Sequence, residues 1–285
     1  MRIAGRPAVL HRYGPERSAE EVAWEYDVLD ALSRTGFPAP VPIAAFNGAS
    51  TAHAAGRRWG LVSYLPGRVL GWESTPDLEE VGRFMARFHD AAAQLDMPGN
   101  GPTVPRLEEL PGAVPWDRLE ACLGGTDGVA AYRTIIEHVL NGMAARADGL
   151  GPPLVIHGDF TTRNVLVAGD PPRCVGLIDF AMAHRAPALA DVAFGLWQAG
   201  RPKPEGIDFD PARVSPWVAG YHATRRLPAD TPEALALLLQ ARGLQLIARW
   251  ARRRGGDLRL TLERLRVIAS LEHGIATSVA RALSA

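Results

Sequence analysis

The apolar residues of this chain form short runs in its middle part and helical stripes elsewhere. Leu154–Ile156 is an apolar run too short for a helix and bounded by a proline and a glycine, which predicts a buried strand. Two more apolar runs, Val165–Ala168 and residues 174–178, flank a turn-forming cluster at residues 169–172. We therefore expect these two runs to pair as a hairpin.

The N-terminal residues predict two short strands followed by a helix. The strands cover residues 2–4 and 8–13. A capping box that begins at Ser18 starts a helix that is expected to end near Gly36. A further strand is predicted at residues 57–64. Sheet and helix are thus expected close together at the start of the chain.

The predicted N-terminal helix carries a glutamate inside its apolar face. The apolar stripe includes Val22, Tyr26, Leu29 and Leu32, and Glu25 lies within it. An unpaired carboxylate on such a face is costly, so Glu25 is expected to have a partner. The alternative is that Glu25 reaches solvent at the edge of the stripe.

The rest of the chain predicts mainly helices, with a pattern of apolar residues at helical spacing. Their expected positions are Thr75 to about Leu95, Trp116–Leu123, residues 129–147, and two long helices that begin near Thr231 and Asp257.

Composition limits the classes of function. The 285 residues suffice for one large domain or two lobes, and a formal net charge of zero gives no reason to expect a nucleic-acid partner. The most apolar helix, residues 234–251, is interrupted by polar side chains, and the N-terminus has no signal-like apolar segment. Cys122 and Cys174 are far apart and lack metal-ligand spacing. We therefore expect a cytoplasmic protein that acts on neither nucleic acid nor membranes.

Polar residues are predicted to meet at the open end of the hairpin. His157 and Asp159 follow the first strand, Asn164 comes five residues after Asp159, and Asp179 follows the last strand. A turn centred between the two prolines places Asn164 opposite Asp179. Oxygen ligands of this kind suit Mg²⁺, and a carboxylate that is not a ligand can accept a proton from an attacking hydroxyl. This layout is typical of phosphoryl transfer.

The sequence HGDFTTRN at residues 157–164, followed by LIDF at residues 177–180, resembles the aminoglycoside phosphotransferase and choline kinase family. The resemblance implies an α+β fold of the protein-kinase-like type. It implies a small N-lobe at residues 1–65, with a β-sheet and one helix, and a larger, mostly helical C-lobe at residues 66–285.

The resemblance also implies an activity and the residues that carry it. The expected enzyme is a kinase that moves the γ-phosphate of ATP or GTP to a hydroxyl of a small molecule, either an aminoglycoside-like antibiotic or a metabolite. By the same resemblance, Asp159 is the catalytic base and His157 supports its loop. Asn164 and Asp179 are expected to hold Mg²⁺.

The cation that contacts the nucleotide phosphates in this family falls, by resemblance, at His11 or its neighbour Arg12. Adjacent strand residues point to opposite faces, so only one of the two can face the nucleotide. The only lysine of the chain, Lys203, is far downstream. A histidine beside a triphosphate and a carboxylate is expected to be protonated. The resemblance also makes this cation the partner of Glu25.

Residues 65–67 resemble the hinge between the two lobes of the family. By that resemblance, adenine bonds to the backbone carbonyl of Ser63 and the backbone amide of Leu65. An ordinary turn after a strand is the alternative interpretation.

A nucleotide-binding pseudokinase or scaffold without turnover is the alternative to an enzyme. Few residues precede the first predicted strand, where the family normally has another strand and a glycine-containing loop over the phosphates. The presence of Asp159, Asn164 and Asp179 favours the enzyme, because a decayed site usually loses one of its polar residues.

The charge balance of the C-terminal region bears on the acceptor. From Glu205 to the end there are twelve arginines and eight acidic residues. A polycationic acceptor would prefer an acidic cleft, so this balance favours a neutral or anionic hydroxyl compound. The alternative is that these arginines form solvated helix faces.

Overall fold

A computed structural model describes residues 1–3, 5–70, 78–97, 99, 101, 109–123, 125–203, 205–253 and 257–284, without the side chains of 147, 148, 252 and 253. The strands are β1 (Arg2–Ile3), β2 (Arg6–Tyr13), β3 (Thr51–Ala54), β4 (Arg57–Ser63), β5 (Arg68–Val69), β6 (Leu154–Ile156), β7 (Val165–Ala168), β8 (Arg173–Leu177) and β9 (His184–Ala186). The helices are α1 (Ala19–Ser33), α2 (Leu78–Ala92), α3 (Leu110–Ala113), α4 (Trp116–Leu123), α5 (Thr126–Ala144), α6 (Ala188–Ala199), α7 (Val214–Thr224), α8 (Thr231–Arg253), α9 (Leu258–Ser270) and α10 (Glu272–Ser284).

The N-terminal strands form an antiparallel sheet in the order β1-β2-β4-β3. β2 is the predicted second strand, although it begins at Arg6, two residues earlier than expected. His11 pairs with Gly60 and Arg12 pairs with Trp59. The sheet therefore presents His11 and Arg12 on opposite faces, as strand geometry requires.

α1 begins as the capping box predicts. The Ser18 hydroxyl accepts the Glu21 backbone N–H over 3.1 Å, and the Glu21 carboxylate accepts the Ser18 N–H over 3.1 Å. The predicted apolar stripe is buried, together with Trp24. The helix ends at Ser33, and Gly36 follows with φ of 78°. A positive φ suits glycine, which explains why the chain can turn there.

β7 and β8 pair as the predicted hairpin, but in a different register. Val165 lies opposite Leu177, and a β-bulge interrupts the ladder. The N–H of Ile178 donates to the Asn164 carbonyl over 2.9 Å, so Asp179 lies one residue beyond the partner of Asn164. The predicted opposition of Asn164 and Asp179 is wrong, because Ala168 pairs with Arg173 and the turn is therefore centred between Asp170 and Pro171, one residue earlier than assumed. The bulge makes up only half of the resulting shift.

Three short strands, β3, β5 and β9, are additions to the prediction. β5 pairs with β7 and extends the hairpin to three strands, while β6 pairs with β9. Neither β5 nor β9 was predicted, because two or three residues are too few to show a periodicity. The β6–β9 pairing brings the segment after Asp179 alongside the strand that leads into His157.

The helices follow the predicted order with shifted ends. α4 and the start of α8 are as predicted, and α5 begins and ends three residues earlier than expected. The long helix expected to begin near Asp257 is α9, which starts at Leu258, and α10 follows it after Leu271. α3, α6, α7 and α10 are additional to the predicted helices. The predicted helix start at Thr75 lies outside the described residues.

The contacts of the chain define two compact units. The first contains all nine described strands, and the second is helical. The first unit comprises Met1–Pro76, Arg87–Thr103 and Pro153–Ala186, and the second comprises Asp77–Ala86, Val104–Pro152 and Pro187–Ala285. The lobe boundary at residue 65 stays a prediction. None of the described helices has the length and apolar character needed to cross a membrane.

In the second unit, α2 and α7 approach each other through two glycines. A Cβ added at Gly82 would collide with the Trp217 carbonyl oxygen, and one added at Gly220 would collide with the Glu79 carbonyl oxygen. The two helix backbones can therefore come this close only because both positions lack a side chain.

Substituting Gly82 with alanine tests this packing. G82A is expected to lower the free energy of unfolding by about 1–3 kcal/mol, because the new methyl group forces the helices apart. G274A in α10 is the matched control, since its methyl would meet only Pro211 at 3.7 Å. Alanine's better helix propensity should then raise stability by up to about 1 kcal/mol. Urea denaturation followed by circular dichroism measures the free energy of unfolding of both variants. Equal changes in the two variants would contradict the close approach of α2 and α7.

Candidate active site

His157 connects the loop after β6 to the end of β8. Its ring is fully buried, with Nε2 at 3.0 Å from the Ile178 carbonyl oxygen and Nδ1 at 3.2 Å from the Asp159 backbone nitrogen. A backbone N–H can only donate, so Nδ1 accepts and Nε2 carries the proton that is donated to Ile178. These contacts suit the supporting role predicted for this neutral imidazole.

Three phenylalanine rings surround the His157 imidazole. The ring centroids lie 4.8 Å away for Phe180, 5.9 Å for Phe160 and 6.3 Å for Phe88. All three rings are buried. They keep water away from the imidazole, which strengthens its hydrogen bonds.

Gly158 allows the tight turn between His157 and Asp159. Its φ is 70°, and an added Cβ would collide with the Met182 carbonyl oxygen and lie 2.9 Å from His184 Nδ1. A larger residue would displace the loop and with it the carboxylate of Asp159.

Asn164 holds Asp159 by its side-chain amide. Asn164 Nδ2 donates to the Asp159 carbonyl over 2.8 Å and to Asp159 Oδ2 over 3.2 Å. Asn164 is buried, whereas Asp159 is partly exposed. The structure thus brings these two predicted site residues into direct contact, with the carboxylate accessible from one side.

Asp179 leaves the hairpin in an unusual backbone conformation. Its φ is 66° and its ψ is 69°, the left-handed region, and the side chain is exposed. Non-glycine residues rarely adopt this conformation, and such strain tends to occur at functional sites. The preceding residue, Ile178, is held by Asn164 through its N–H and by His157 through its carbonyl.

Asn164 and Asp179 present donor atoms that fit a magnesium ion. The amide nitrogen of Asn164 bonds to Asp159, which leaves its carboxamide oxygen as the atom able to bind a cation. Asp179 offers an exposed carboxylate. No cluster of three or more His, Cys, Asp or Glu side chains occurs in the described part of the chain. Mg²⁺ needs no such cage, because it usually takes one or two carboxylates together with substrate phosphates.

Of the two predicted cation positions, His11 is the one whose pKa is affected by the charge of Asp179. His11 is partly buried with its ring 6.2 Å from that of Tyr13, whereas Arg12 is exposed. Burial lowers the pKa of His11 below its ordinary value, and the negative charge of Asp179 offsets only part of that effect. The expectation of a protonated ring beside a bound triphosphate and a carboxylate stays a prediction.

Glu25 has a partner, but not the predicted one. Arg17 Nη2 lies 3.1 Å from Glu25 Oε2, and the Tyr13 hydroxyl donates to Oε1 over 3.3 Å. The expected pairing with His11 or Arg12 is wrong, because Arg17, in the turn before α1, reaches back over the helix. Burial raises the pKa of Glu25 and the charge of Asp179 adds to this effect, while Arg17 opposes it.

Arg17 and Tyr13 are site residues that sequence reasoning missed. Tyr13 lies two residues after His11 in β2 and so shares its face, a signal present in the sequence. Arg17 precedes the helix cap, where helical spacing does not apply. The sequence therefore gave no sign that Arg17 would reach Glu25.

Ser63 and Leu65 lie where β4 leaves the sheet. The Ser63 N–H donates to the Val41 carbonyl over 2.8 Å, and the Ser63 hydroxyl accepts the Val41 N–H over 2.9 Å. A Cβ added at Gly176 would lie 3.1 Å from Leu65 Cδ1, so Leu65 packs on β8. Their contacts with adenine stay a prediction.

A model of the phosphotransferase enzyme family matches residues 2–238, most of the chain. The chain belongs to this family. The resemblance drawn from residues 157–180 is therefore confirmed, and the family is one of small-molecule phosphotransferases.

Relatives in the family include bacterial proteins named homoserine kinase. One from Brucella melitensis is 27% identical over 238 residues, which cover 82% of this chain and 68% of that protein. One from Xanthobacter autotrophicus is 28% identical over 239 residues, covering 84% and 70%.

Solved structures of small-molecule kinases share the fold. A microcompartment-associated aminopropanol kinase has a TM-score of 0.72 at 19% identity, covering 97% of this chain and 88% of that one. An amicoumacin kinase in complex with AMP-PNP and Ca²⁺ has a TM-score of 0.65 at 14% identity, covering 93% and 81%. The predicted α+β, kinase-like fold class is confirmed.

The Arg17–Glu25 ion pair generates a prediction about stability. R17M is expected to lower the free energy of unfolding by about 3–5 kcal/mol, because Glu25 is left buried without a cation. The pKa of Glu25 would then rise further above its value in the unfolded chain. The loss should therefore be largest at neutral pH and shrink as the pH falls through the raised pKa of Glu25, above the ordinary glutamate range, where Glu25 binds a proton in the folded protein.

R34M is the matched control for this prediction. Arg34 pairs with Asp30 on the same helix, but both side chains are more than half exposed. Its loss should cost less than about 1 kcal/mol at any pH. Chemical denaturation of both variants between acidic and neutral pH measures the difference. Equal costs, or a cost in R17M that does not vary with pH, would contradict the interpretation.

Proposed function

We propose that this protein is a kinase that transfers the γ-phosphate of ATP or GTP to a hydroxyl of a small molecule, with Asp159 as the base. One observation carries the proposal: Asn164 holds the Asp159 carboxylate directly, over 3.2 Å, while its own oxygen stays available for a cation. A catalytic-loop aspartate as base and a nearby asparagine as metal ligand are parts that kinases use for phosphoryl transfer. Membership of the phosphotransferase family supports the reaction class.

In the proposed reaction, Asp159 accepts the proton of the acceptor hydroxyl. The hydroxyl oxygen forms a bond to the γ-phosphorus as the bond to the β-phosphate oxygen breaks, and the proton ends on the carboxylate. His157 and Asn164 hold Asp159 so that little reorganisation is needed. Mg²⁺, held by Asn164 and Asp179 when bound, would neutralise charge on the phosphates.

His11 is the proposed protein contact of the nucleotide phosphates. The charge of Asp179, the proposed ligand of the metal, acts on His11, and Arg12 is on the other face of the sheet. Glu25 is proposed to support the nucleotide site indirectly, because its bonds to Arg17 and Tyr13 tie β2 to α1. The Ser63 carbonyl and Leu65 amide are the proposed partners of adenine.

A nucleotide-binding protein without turnover is the second candidate. It is favoured by the pairing of Glu25 with Arg17, since β2 then carries no cation in an ion pair with α1. Nucleotide binding with no transfer to any acceptor would distinguish it from the enzyme.

The proposed acceptor is a small amino alcohol or hydroxy amino acid. The relatives named homoserine kinase, at 27–28% identity, support this class. The twelve arginines against eight acidic residues after residue 204 argue against a polycationic aminoglycoside. A hydroxy amino acid is a zwitterion whose carboxylate suits such a surface.

An acceptor panel tests this proposal. Homoserine, 1-amino-2-propanol, ethanolamine and kanamycin are each offered with ATP or GTP, with and without Mg²⁺, and the phosphorylated product is identified by mass spectrometry. We expect Mg²⁺-dependent product from a small amino alcohol or hydroxy amino acid. Product from kanamycin alone would reject the acceptor class. Nucleotide binding without product from any compound would favour the second candidate.

Asp159→Asn tests the base. The amide keeps an oxygen toward Asn164 but cannot take the proton, so turnover should fall about 10²–10⁴-fold while nucleotide affinity stays within a factor of about two. D170N, at the exposed far end of the same hairpin, is the control and should turn over normally. Near-normal turnover of D159N would reject Asp159 as the base.

A further inference from the structure

Trp24 joins α1 to the segment that follows Asp179. Its indole N–H donates to the Ala183 carbonyl over 2.9 Å, across 159 residues of sequence, and the side chain is buried. Trp24 is the residue before Glu25, so the same turn of helix carries both. The proposed reaction does not involve the Trp24 side chain.

Ala183 closes the short turn directly after Asp179. The Ala183 N–H donates to the Phe180 carbonyl over 3.0 Å, which completes a 3₁₀ turn over Phe180–Met182. Ala183 therefore touches the Asp179 turn through its N–H and Trp24 through its carbonyl. A shift of Ala183 would open the turn that starts at Asp179.

The backbone around Asp179 is held on both sides. Before it, Ile178 is bonded to Asn164 and His157. After it, the turn is bonded to Trp24 through Ala183. A left-handed conformation at a non-glycine residue is unfavourable and persists only when its surroundings enforce it. These two anchors are what enforce it here.

Two glycines leave room for the Trp24 indole. A Cβ added at Gly101 would lie 2.5 Å from Trp24 Nε1 and 2.9 Å from the Ala183 carbonyl oxygen. A Cβ at Gly99 would lie 3.6 Å from Trp24 Cζ3. Gly99 and Gly101 thus lie close to the indole, and Gly101 lies close to both atoms of the hydrogen bond.

We propose that Trp24 is a positioning residue for the metal-binding carboxylate, because its indole N–H fixes the turn that orients Asp179. The proposal rests on the function proposed above, in which Asp179 holds Mg²⁺. In this proposal the hydrogen bond links α1 to the metal site. It holds α1, which also carries Glu25, in a fixed position relative to the Asp179 carboxylate.

Trp24→Phe tests the proposal, because phenylalanine fills most of the pocket and lacks the N–H. Mn²⁺, as a probe for Mg²⁺, is titrated by electron paramagnetic resonance in the presence of a non-hydrolysable ATP analogue. Exchange of the backbone amides at residues 180–183 is measured without metal. W24F should bind Mn²⁺ about tenfold more weakly and exchange these amides faster. Affinity for the metal-free nucleotide should not change.

Trp59→Phe is the matched control. The Trp59 indole also donates to a backbone carbonyl, that of Ala54, over 3.1 Å, but on the exposed β3–β4 hairpin. W59F should leave Mn²⁺ affinity and the exchange at residues 180–183 unchanged. If W24F behaves like W59F in both measurements, Trp24 is not a positioning residue.

A third variant separates this proposal from the function on which it rests. D179N should weaken Mn²⁺ binding. If D179N does so and W24F speeds exchange without weakening Mn²⁺ binding, the Trp24 proposal alone is wrong. If D179N leaves Mn²⁺ binding intact, the metal role of Asp179 is wrong, and the Trp24 proposal falls with it.

If W24F does not fold, G101A replaces it, since its methyl presses on the same hydrogen bond. G36A is the control, because Gly36 has the same φ of 78° as Gly101 but no atom within 4 Å of an added Cβ. Weaker Mn²⁺ binding in G101A than in G36A supports the proposal, and equal binding overturns it.

Discussion

The hydrogen bonds of His157 are the constraint on which the rest of the site depends. A fully buried imidazole must satisfy both ring nitrogens, and here one bonds the Asp159 loop while the other bonds the last residue before Asp179. The candidate base and a candidate metal ligand, some twenty residues apart in sequence, are thereby fixed to the same ring. The surrounding phenylalanines make the arrangement rigid, because no water can replace either bond.

Asn164 adds a second link between the same two segments. Its backbone carbonyl accepts from Ile178, and its side-chain amide holds Asp159. A single buried residue therefore sets both the end of the hairpin and the direction of the carboxylate. Because that amide uses its nitrogen for this purpose, asparagine leaves a separate oxygen for a cation, which an alanine could not provide.

The buried Glu25 shows how the site departs from the family pattern without losing charge balance. A carboxylate on an apolar helix face needs a cation, and the resemblance led us to expect that cation on the strand. Here Arg17 provides it from the turn before the helix, so His11 is not the partner of Glu25. The same ion pair, with the Tyr13 hydroxyl, ties β2 to α1, while Trp24 ties α1 to the turn after Asp179.

The sequence by itself determined the local elements and the identity of the polar residues in the site. The capping box at Ser18, the strands at β6 and β7, and the family motif at residues 157–164 depend on neighbouring residues, whose spacing can be read directly. For the same reason the motif located Asp159, Asn164 and Asp179. The need of Glu25 for a partner also followed from its place in an apolar stripe.

Only the tertiary structure decided the register of the β7–β8 hairpin, the partner of Glu25 and the hydrogen bond between Trp24 and Ala183. The turn of the β7–β8 hairpin lies one residue earlier than expected and a β-bulge then shifts the ladder by one residue, so Asp179 lies one residue beyond the partner of Asn164, and ladder defects of this kind leave no clear periodicity in the sequence. Arg17 and Trp24 found their partners through the fold, Trp24 across 159 residues. Such contacts depend on which segments pack together, and local spacing carries no information about that.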